Sequence, residues 1–329
     1  MKKIFLFTLF ILTVQYNQSF AKQKLYVSVL QTHNYIVGAA NAPSGLYQFE
    51  RDTTWTHFGW NNVRNFGIAA DPKNSDTIFL ACGNGALRTF DAGISWKITT
   101  DWQVTEVLDV TIDPFNTRQV YIATAYGVWR TTDRGETWHV ASKGLSTNFV
   151  QTIETDRRAK YRLIAGGESG LFVSENRAEN WRHIIPVDVP ICDIHQNFKS
   201  PKIWLAGTED HGVIISRDHG NTWQYSVGEI SKETIYAVVT DPRNPDIMVA
   251  GGFQTGIYVS KNGGKKWKKY TSGLPVTDIH ALIFDPDKKG RIWAGTVGAG
   301  VYFSDDFGKS WKYAGLRGAE IWDIIFIGD

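Results

Sequence analysis

Ser304-Asp305-Asp306-Phe307-Gly308-Lys309-Ser310-Trp311 has three close counterparts earlier in the chain. They are Thr89-Phe90-Asp91-Ala92-Gly93-Ile94-Ser95-Trp96, Thr131-Thr132-Asp133-Arg134-Gly135-Glu136-Thr137-Trp138 and Ser216-Arg217-Asp218-His219-Gly220-Asn221-Thr222-Trp223. Each reads Ser/Thr, any, Asp, any, Gly, any, Ser/Thr, Trp. Weaker copies run from Ser260 to Trp267, with Asn262 and Lys266, and from Ser174 to Trp181, with Asn176 and Ala178. Gln48 to Trp55 keeps little but the tryptophan. A short acidic side chain accepts bonds from the amides of its own tight turn. Glycine takes a positive φ that a β-carbon resists. The hydroxyl satisfies a further backbone group, and the tryptophan offers a large apolar plate.

Around these segments the whole chain repeats. The tryptophans at 55, 96, 138, 181, 223, 267 and 311 fall 41 to 44 residues apart. A glycine stands eleven residues before each of the last six. Within the last unit, Thr277 to Phe284, Arg291 to Gly295, Val301 to Ser304 and Trp311 to Tyr313 read as four short strands. Asp-Pro closes the first strand at Asp71-Pro72, Asp113-Pro114, Asp241-Pro242 and Asp285-Pro286, because proline has no amide to donate to a ladder. No segment has a helical period. Seven four-stranded units of this length predict an all-β, seven-bladed β-propeller, which buries the faces of each blade against its neighbours. Ala319 to Ile327 reads as an extra first strand that closes the ring. Leu25 to Leu30 is the other candidate for the first blade, and their order there stays open.

The eight-residue segment resembles the Asp-box, or BNR repeat, of sialidase, xyloglucanase and sortilin propellers. Length, blade number and the lack of appended domains are similar to the photosystem II assembly and stability factor-like group. The resemblance implies that Asp91, Gly93, Trp96, Asp133, Gly135, Trp138, Asp218, Gly220, Trp223, Asp306, Gly308 and Trp311 build the fold, between strands three and four. Calcium is the competing use of these acids, but each box lacks the ligand density of a calcium loop. No metal and no cofactor are expected.

Lys2 and Lys3 precede an apolar run from Ile4 to Val14, and Ser19-Phe20-Ala21 offers a cleavage site. This is the layout of a signal peptide over residues 1–21, too short to span a bilayer. The expected product is an exported chain, periplasmic or secreted, soluble and monomeric, with one propeller over 22–329. Lys plus Arg number 35 against 33 Asp plus Glu, a balance that argues against nucleic acid. Cys82 and Cys192 are expected as separate buried thiols.

The resemblance implies that ligands bind the face made by the loops between blades and the loops between strands two and three. That mapping selects Trp60, Arg64, Trp102, Glu106, Tyr126, Glu209, His211, Phe253, Asp278, His280 and Glu320. Aromatic plates beside hydrogen-bonding groups suit sugars or peptide side chains. Aligned first strands also place Asp109, Asp193 and Asp323 at one register near the central channel. No Phe/Tyr-Arg-Ile-Pro motif and no arginine triad mark a sialidase. The preferred reading is a non-catalytic module, such as an assembly or stability factor, that binds a protein or glycan on this face. The alternative is a glycoside hydrolase or polysaccharide lyase with its site on the same face. Arg157, Arg158, Lys160 and Arg162 read as a basic, solvated connection in blade four.

Overall fold

The computed structural model describes residues 23–31, 44–61, 63–185 and 189–328. The predicted leader lies outside them. Seven four-stranded antiparallel sheets form a ring of blades. The only helix among the described residues is a short 3-10 turn, Glu229–Lys232, and no helix there is long and apolar enough to cross a membrane.

Blade one is made from both ends of the chain. Its innermost strand is Ala319–Ile327, followed outward by Lys24–Gln31, Gly45–Arg51 and Thr54–Phe58. The two terminal strands pair antiparallel from Lys24 opposite Ile327 to Gln31 opposite Ala319. This settles their order. The inner position is flanked by two other inner strands, and Ala319, Ile321, Ile324 and Ile327 are buried there. Blade approach is close at this closure: a β-carbon on Gly295 of blade seven would lie 2.7 Å from Cβ of Ile321.

The box turns form as their residues dictate. In blade three the Asp133 carboxylate accepts the Thr137 amide at 2.9 Å, the Thr137 hydroxyl at 2.6 Å and the Thr131 hydroxyl at 2.6 Å. Thr131 Oγ1 accepts the Gly135 amide at 2.9 Å, and Gly135 has φ +81°. Asp91, Asp218 and Asp306 make the same set. The degenerate box keeps the turn, with Asn176 and Ser174 accepting the Asn180 and Ala178 amides. The Asp-Pro corners use the same device: Asp113 accepts the Phe115 amide at 2.8 Å.

The box tryptophans are not equally buried. Trp181 and Trp311 are buried, while Trp138 and Trp223 are half-buried. The reason is local. The loops entering blades four and seven carry Lys143-Gly144-Leu145 and Ser272-Gly273-Leu274, whose carbonyls at Lys143 and Ser272 accept the Trp181 and Trp311 amides at 2.8 and 3.0 Å. Those loops cover the rings. Cys82 and Cys192 are buried free thiols, and burial pushes both thiols up in pKa.

Candidate functional site

Every innermost strand contains the same irregularity. Its pairing with the second strand slips by one residue near the loop face, leaving Phe66, Leu108, Gln151, Cys192, Tyr236, His280 and Trp322 without a cross-strand partner. Such bulges re-aim a side chain. In four successive blades, six, seven, one and two, the bulged residue is aromatic. Tyr236 meets His280 with ring centroids 4.6 Å apart, His280 meets Trp322 at 4.6 Å, and Trp322 meets Phe66 at 5.3 Å, all edge to face. The four form an arc around the mouth of the axial channel. All are half-buried. Burial lowers the His280 imidazole to about pKa 4, so it is neutral near pH 7. Arg64 lies over the Phe66 ring at 5.1 Å.

One residue deeper are the aspartates. Each accepts an amide from the next blade: Asp323 from Ile68 at 2.7 Å, Asp109 from Ile153 at 2.8 Å, and Asp193 from Val238 at 2.8 Å. They therefore stitch blade one to two, three to four and five to six. Asp109 and Asp323 also accept the amide of the next residue in their own strand, Val110 and Ile324, each at 2.7 Å, so they are bonded both within a blade and across a seam. Desolvation raises Asp193 to about 7 and Asp323 to about 6, and pushes Asp109 well up, against the lowering effect of those amide bonds. The residues keep some accessible area because they border the channel. Glu154, also raised by burial, lies near them and pairs with Arg157 at 3.3 Å. Burial lowers His195 to about 3, with its Nε2 2.9 Å from Thr240 Oγ1.

The rim is built by loops that hydrogen-bond to one another. Gly83 donates to Arg64, Glu106 to Gly83, Phe253 to Thr234 and Val297 to Asp278. Trp60, Trp102, Tyr126 and Phe253 are exposed on it, Trp102 at 83 %. Glu106, Glu209 and His211 are also exposed. His211 Nδ1 lies 2.8 Å from the Glu209 carbonyl. Asp278 accepts the Gln254 amide at 3.1 Å, and Glu320 begins the closing strand. Of the residues selected from the sequence, the geometry gathers His280 and Arg64 at the channel mouth and spreads the others around the rim. It adds Phe66, Tyr236 and Trp322, which the sequence reading passed over. A cavity of about 470 Å³ opens between blades four and five, lined by Phe149, Gln151, Gly167, Glu168, Pro190, Ile191 and Glu209.

The two faces differ in charge. On the loop face, Asp101, Glu106, Glu168, Glu209, Asp210, Glu229, Glu233 and Asp278 outnumber Arg64, Lys143, Lys232 and Arg317. On the box face, arginines stack on exposed rings: Arg177 over Tyr161 at 3.8 Å, Arg157 over Phe198 at 5.7 Å and Arg88 over Phe90 at 4.1 Å. The basic connection in blade four lies on this box face. It is not uniformly solvated, since Arg162 is buried against Asp156 at 3.0 Å. Among the described residues no cluster of His, Cys, Asp and Glu could hold a metal ion.

The channel groups make stability depend on pH in two opposing ways. An aspartate whose folded pKa is raised binds its proton more tightly when folded, so its contribution grows as pH falls from about 7 towards 4. A histidine held neutral works against this, because the unfolded chain protonates near 6.5 while His195 and His280 do not. Asp193→Asn should therefore make the protein lose about 1–3 kcal/mol more than wild type on going from pH 7.5 to 5. His195→Gln should shift the same difference the other way. Urea denaturation at both pH values checks the signs.

Comparison with known proteins agrees with the architecture. A family model described as sortilin, neurotensin receptor 3, matches residues 211–319. None of the curated proteins matches the chain. A GH74 enzyme from Niastella koreensis superposes with TM-score 0.71 and 17 % identity, covering 91 % of this chain and 55 % of that one. The GH74 xyloglucanase from Xanthomonas campestris gives 0.65 and 18 %, covering 86 % and 51 %. The chain thus spans about half the length of these enzymes. YCF48 from Cyanidioschyzon merolae gives 0.61 and 14 %, covering 81 % of this chain and 95 % of that one. A structure of YCF48 bound to D1 peptide gives 0.59 and 14 %, covering 80 % and 87 %. At these identities the likeness is one of fold. With its seven four-stranded blades, the chain is a seven-bladed β-propeller, and its recurring turn is similar to the Asp-box, or BNR repeat.

Proposed function

We propose that this propeller is an exported, non-catalytic binding module that holds a protein partner on its loop face. The observation that carries the reading is the rim itself. Trp60, Trp102, Tyr126 and Phe253 expose large rings around one opening; among the described residues none carries a stacked arginine, unlike Phe90, Tyr161 and Phe198 on the box face, and uncovered aromatics of this kind suit a recognition surface. Several rim carboxylates serve the loops that present them. Asp210 accepts the Thr234 hydroxyl at 2.9 Å, Glu233 accepts the Tyr258 hydroxyl at 2.8 Å, and Asp278 holds the Gln254 amide. The YCF48 complex supports a peptide as the type of partner, since that propeller of similar length is bound to one. Lys2, Lys3 and the apolar run behind them support export.

The likeness to GH74 enzymes favours a second reading, a carbohydrate-active enzyme using the same face. One set of assays separates the two. The full chain is titrated with an array of unrelated peptides and with xyloglucan and other polysaccharides, and released reducing ends are measured. The expected result is peptide retention without turnover. Trp102→Ala and Tyr126→Ala should each weaken binding by about 1–3 kcal/mol with an unchanged melt, since neither ring supports the core. Turnover lost on Asp278→Asn or Glu106→Gln, with substrate binding retained, would replace the binding module by the enzyme.

A further inference from the structure

We infer that the mouth of the axial channel receives a lysine or arginine side chain presented by an extended segment of the partner. This rests on the loop-face reading above and adds the chemistry of what is bound. The arc of Tyr236, His280, Trp322 and Phe66 offers aromatic surface at the opening, and ring faces attract cations. The mouth already carries one such contact, Arg64 over Phe66. Among the described residues no Lys or Arg lies over Tyr236, His280 or Trp322, and the three rings, packed edge to face, each keep some exposed surface. The neutral His280 adds no positive charge to repel an incoming cation.

Depth supplies carboxyl oxygens, with Asp323, at about 6, the one that is mostly ionised near pH 7. Asp323 follows Trp322 directly in the closing strand, and Asp193 and Asp109 occupy the same level in their blades. A long basic side chain suits this arrangement, because its aliphatic stem packs along the rings while its charged end remains hydrated near the carboxylates. An acidic side chain would meet like charge at the rim, where Glu106, Glu168 and Glu209 are exposed. The adjoining cavity between blades four and five, with Glu168, Glu209 and Phe149 on its wall, gives the flanking residues of that segment a place with the same preference.

The test uses fluorescein-labelled Gly-Ser peptides of one length carrying two lysines, two acetyl-lysines or two glutamates, titrated into the full chain. The lysine peptide should bind and weaken steeply with salt. Acetylation should reduce affinity about ten-fold, and the glutamate peptide should not bind, because the cation is what the rings and carboxylates recognise. Trp322→Leu should lower lysine-peptide affinity about ten-fold, and Glu168→Gln with Glu209→Gln about three- to ten-fold. The glutamates are surface residues, so that pair decides the matter if the tryptophan variant does not fold. Equal binding of the lysine and acetyl-lysine peptides, unchanged affinity in the folded variants, or no binding of the lysine peptide to wild type would each overturn the inference. If a neutral peptide then binds and is lost on Trp102→Ala alone, the loop-face reading survives without the basic side chain. If the loop-face variants change the binding of no probe, both fall.

Discussion

A chain ending at Gly318 should show no cooperative unfolding transition. The missing strand supplies the innermost position of blade one, pairs along the whole of Lys24–Gln31, and buries Ile321, Ile324 and Ile327 between blades seven and two. Cutting a single buried isoleucine back to alanine costs about 2–5 kcal/mol. Three of them reach the whole stability of an ordinary domain, about 5–15 kcal/mol. The truncation also leaves the Lys24–Gln31 strand as an unpaired edge open to aggregation. Thermal melts and gel filtration test this, with a synthetic peptide covering 317–329 added in trans as the rescue. A truncated chain that melts cooperatively within a few degrees of the full one would remove the closing strand from its place in the account.

Trp311→Ala should destabilise by about 3–5 kcal/mol, as a large-to-small change in a packed interior. The ring is 4 % exposed. Its Nε1 donates to the Gly308 carbonyl at 3.1 Å and its amide to Ser272 at 3.0 Å. It lies in the cluster that joins blades six and seven, with Val259, Ile279 and Phe284. Trp138→Ala should cost less, about 1–3 kcal/mol, because that ring is half-buried and its Nε1 bond to Thr99 is 3.2 Å long. Urea denaturation of the two variants gives the ranking. Equal losses would mean that the covering loop over Trp311 contributes nothing.

The sequence carried the blades and the box turns because both are written in residue types at fixed spacing. Asp133, Gly135 and Thr137 have one conformation that satisfies all three, and the structure adopts it. The unequal burial of the tryptophans was legible only in part. Its sign is the Gly-Leu pair in the loops entering blades four and seven, Gly144-Leu145 and Gly273-Leu274, several residues away from the box. The order of the terminal strands was not legible, since Leu25–Leu30 and Ala319–Ile327 are both apolar and β-rich. Nor was the aromatic arc. A bulge is a backbone event, and the seven bulged positions hold Phe, Leu, Gln, Cys, Tyr, His and Trp, with no shared chemistry to mark them. Aligning the inner strands found the aspartates one step deeper, because only there does the side-chain type recur.

Three carboxylate stitches couple six blades in pairs, and seven is an odd number. Blade seven is the one left over: its residue at that level is Ala281, which neither gives nor receives such a bond among the described groups. Its two seams are spanned near the axis by rings, Tyr236 to His280 on one side and His280 to Trp322 on the other. Among the described residues, five of the seven seams thus carry one of two kinds of fastener near the axis. One kind ends in a carboxylate that burial raises, to about 7 at Asp193 and about 6 at Asp323; the other includes an imidazole that burial lowers to about 4 and a phenol that burial raises. Between about pH 7 and 5 acid acts on the Asp193 and Asp323 stitches and leaves the rings at blade seven uncharged. The seventh blade also carries the seam at which the two ends of the chain meet the rest of the circle, so the junction made last in sequence is one that holds together near pH 6 without a titrating carboxylate.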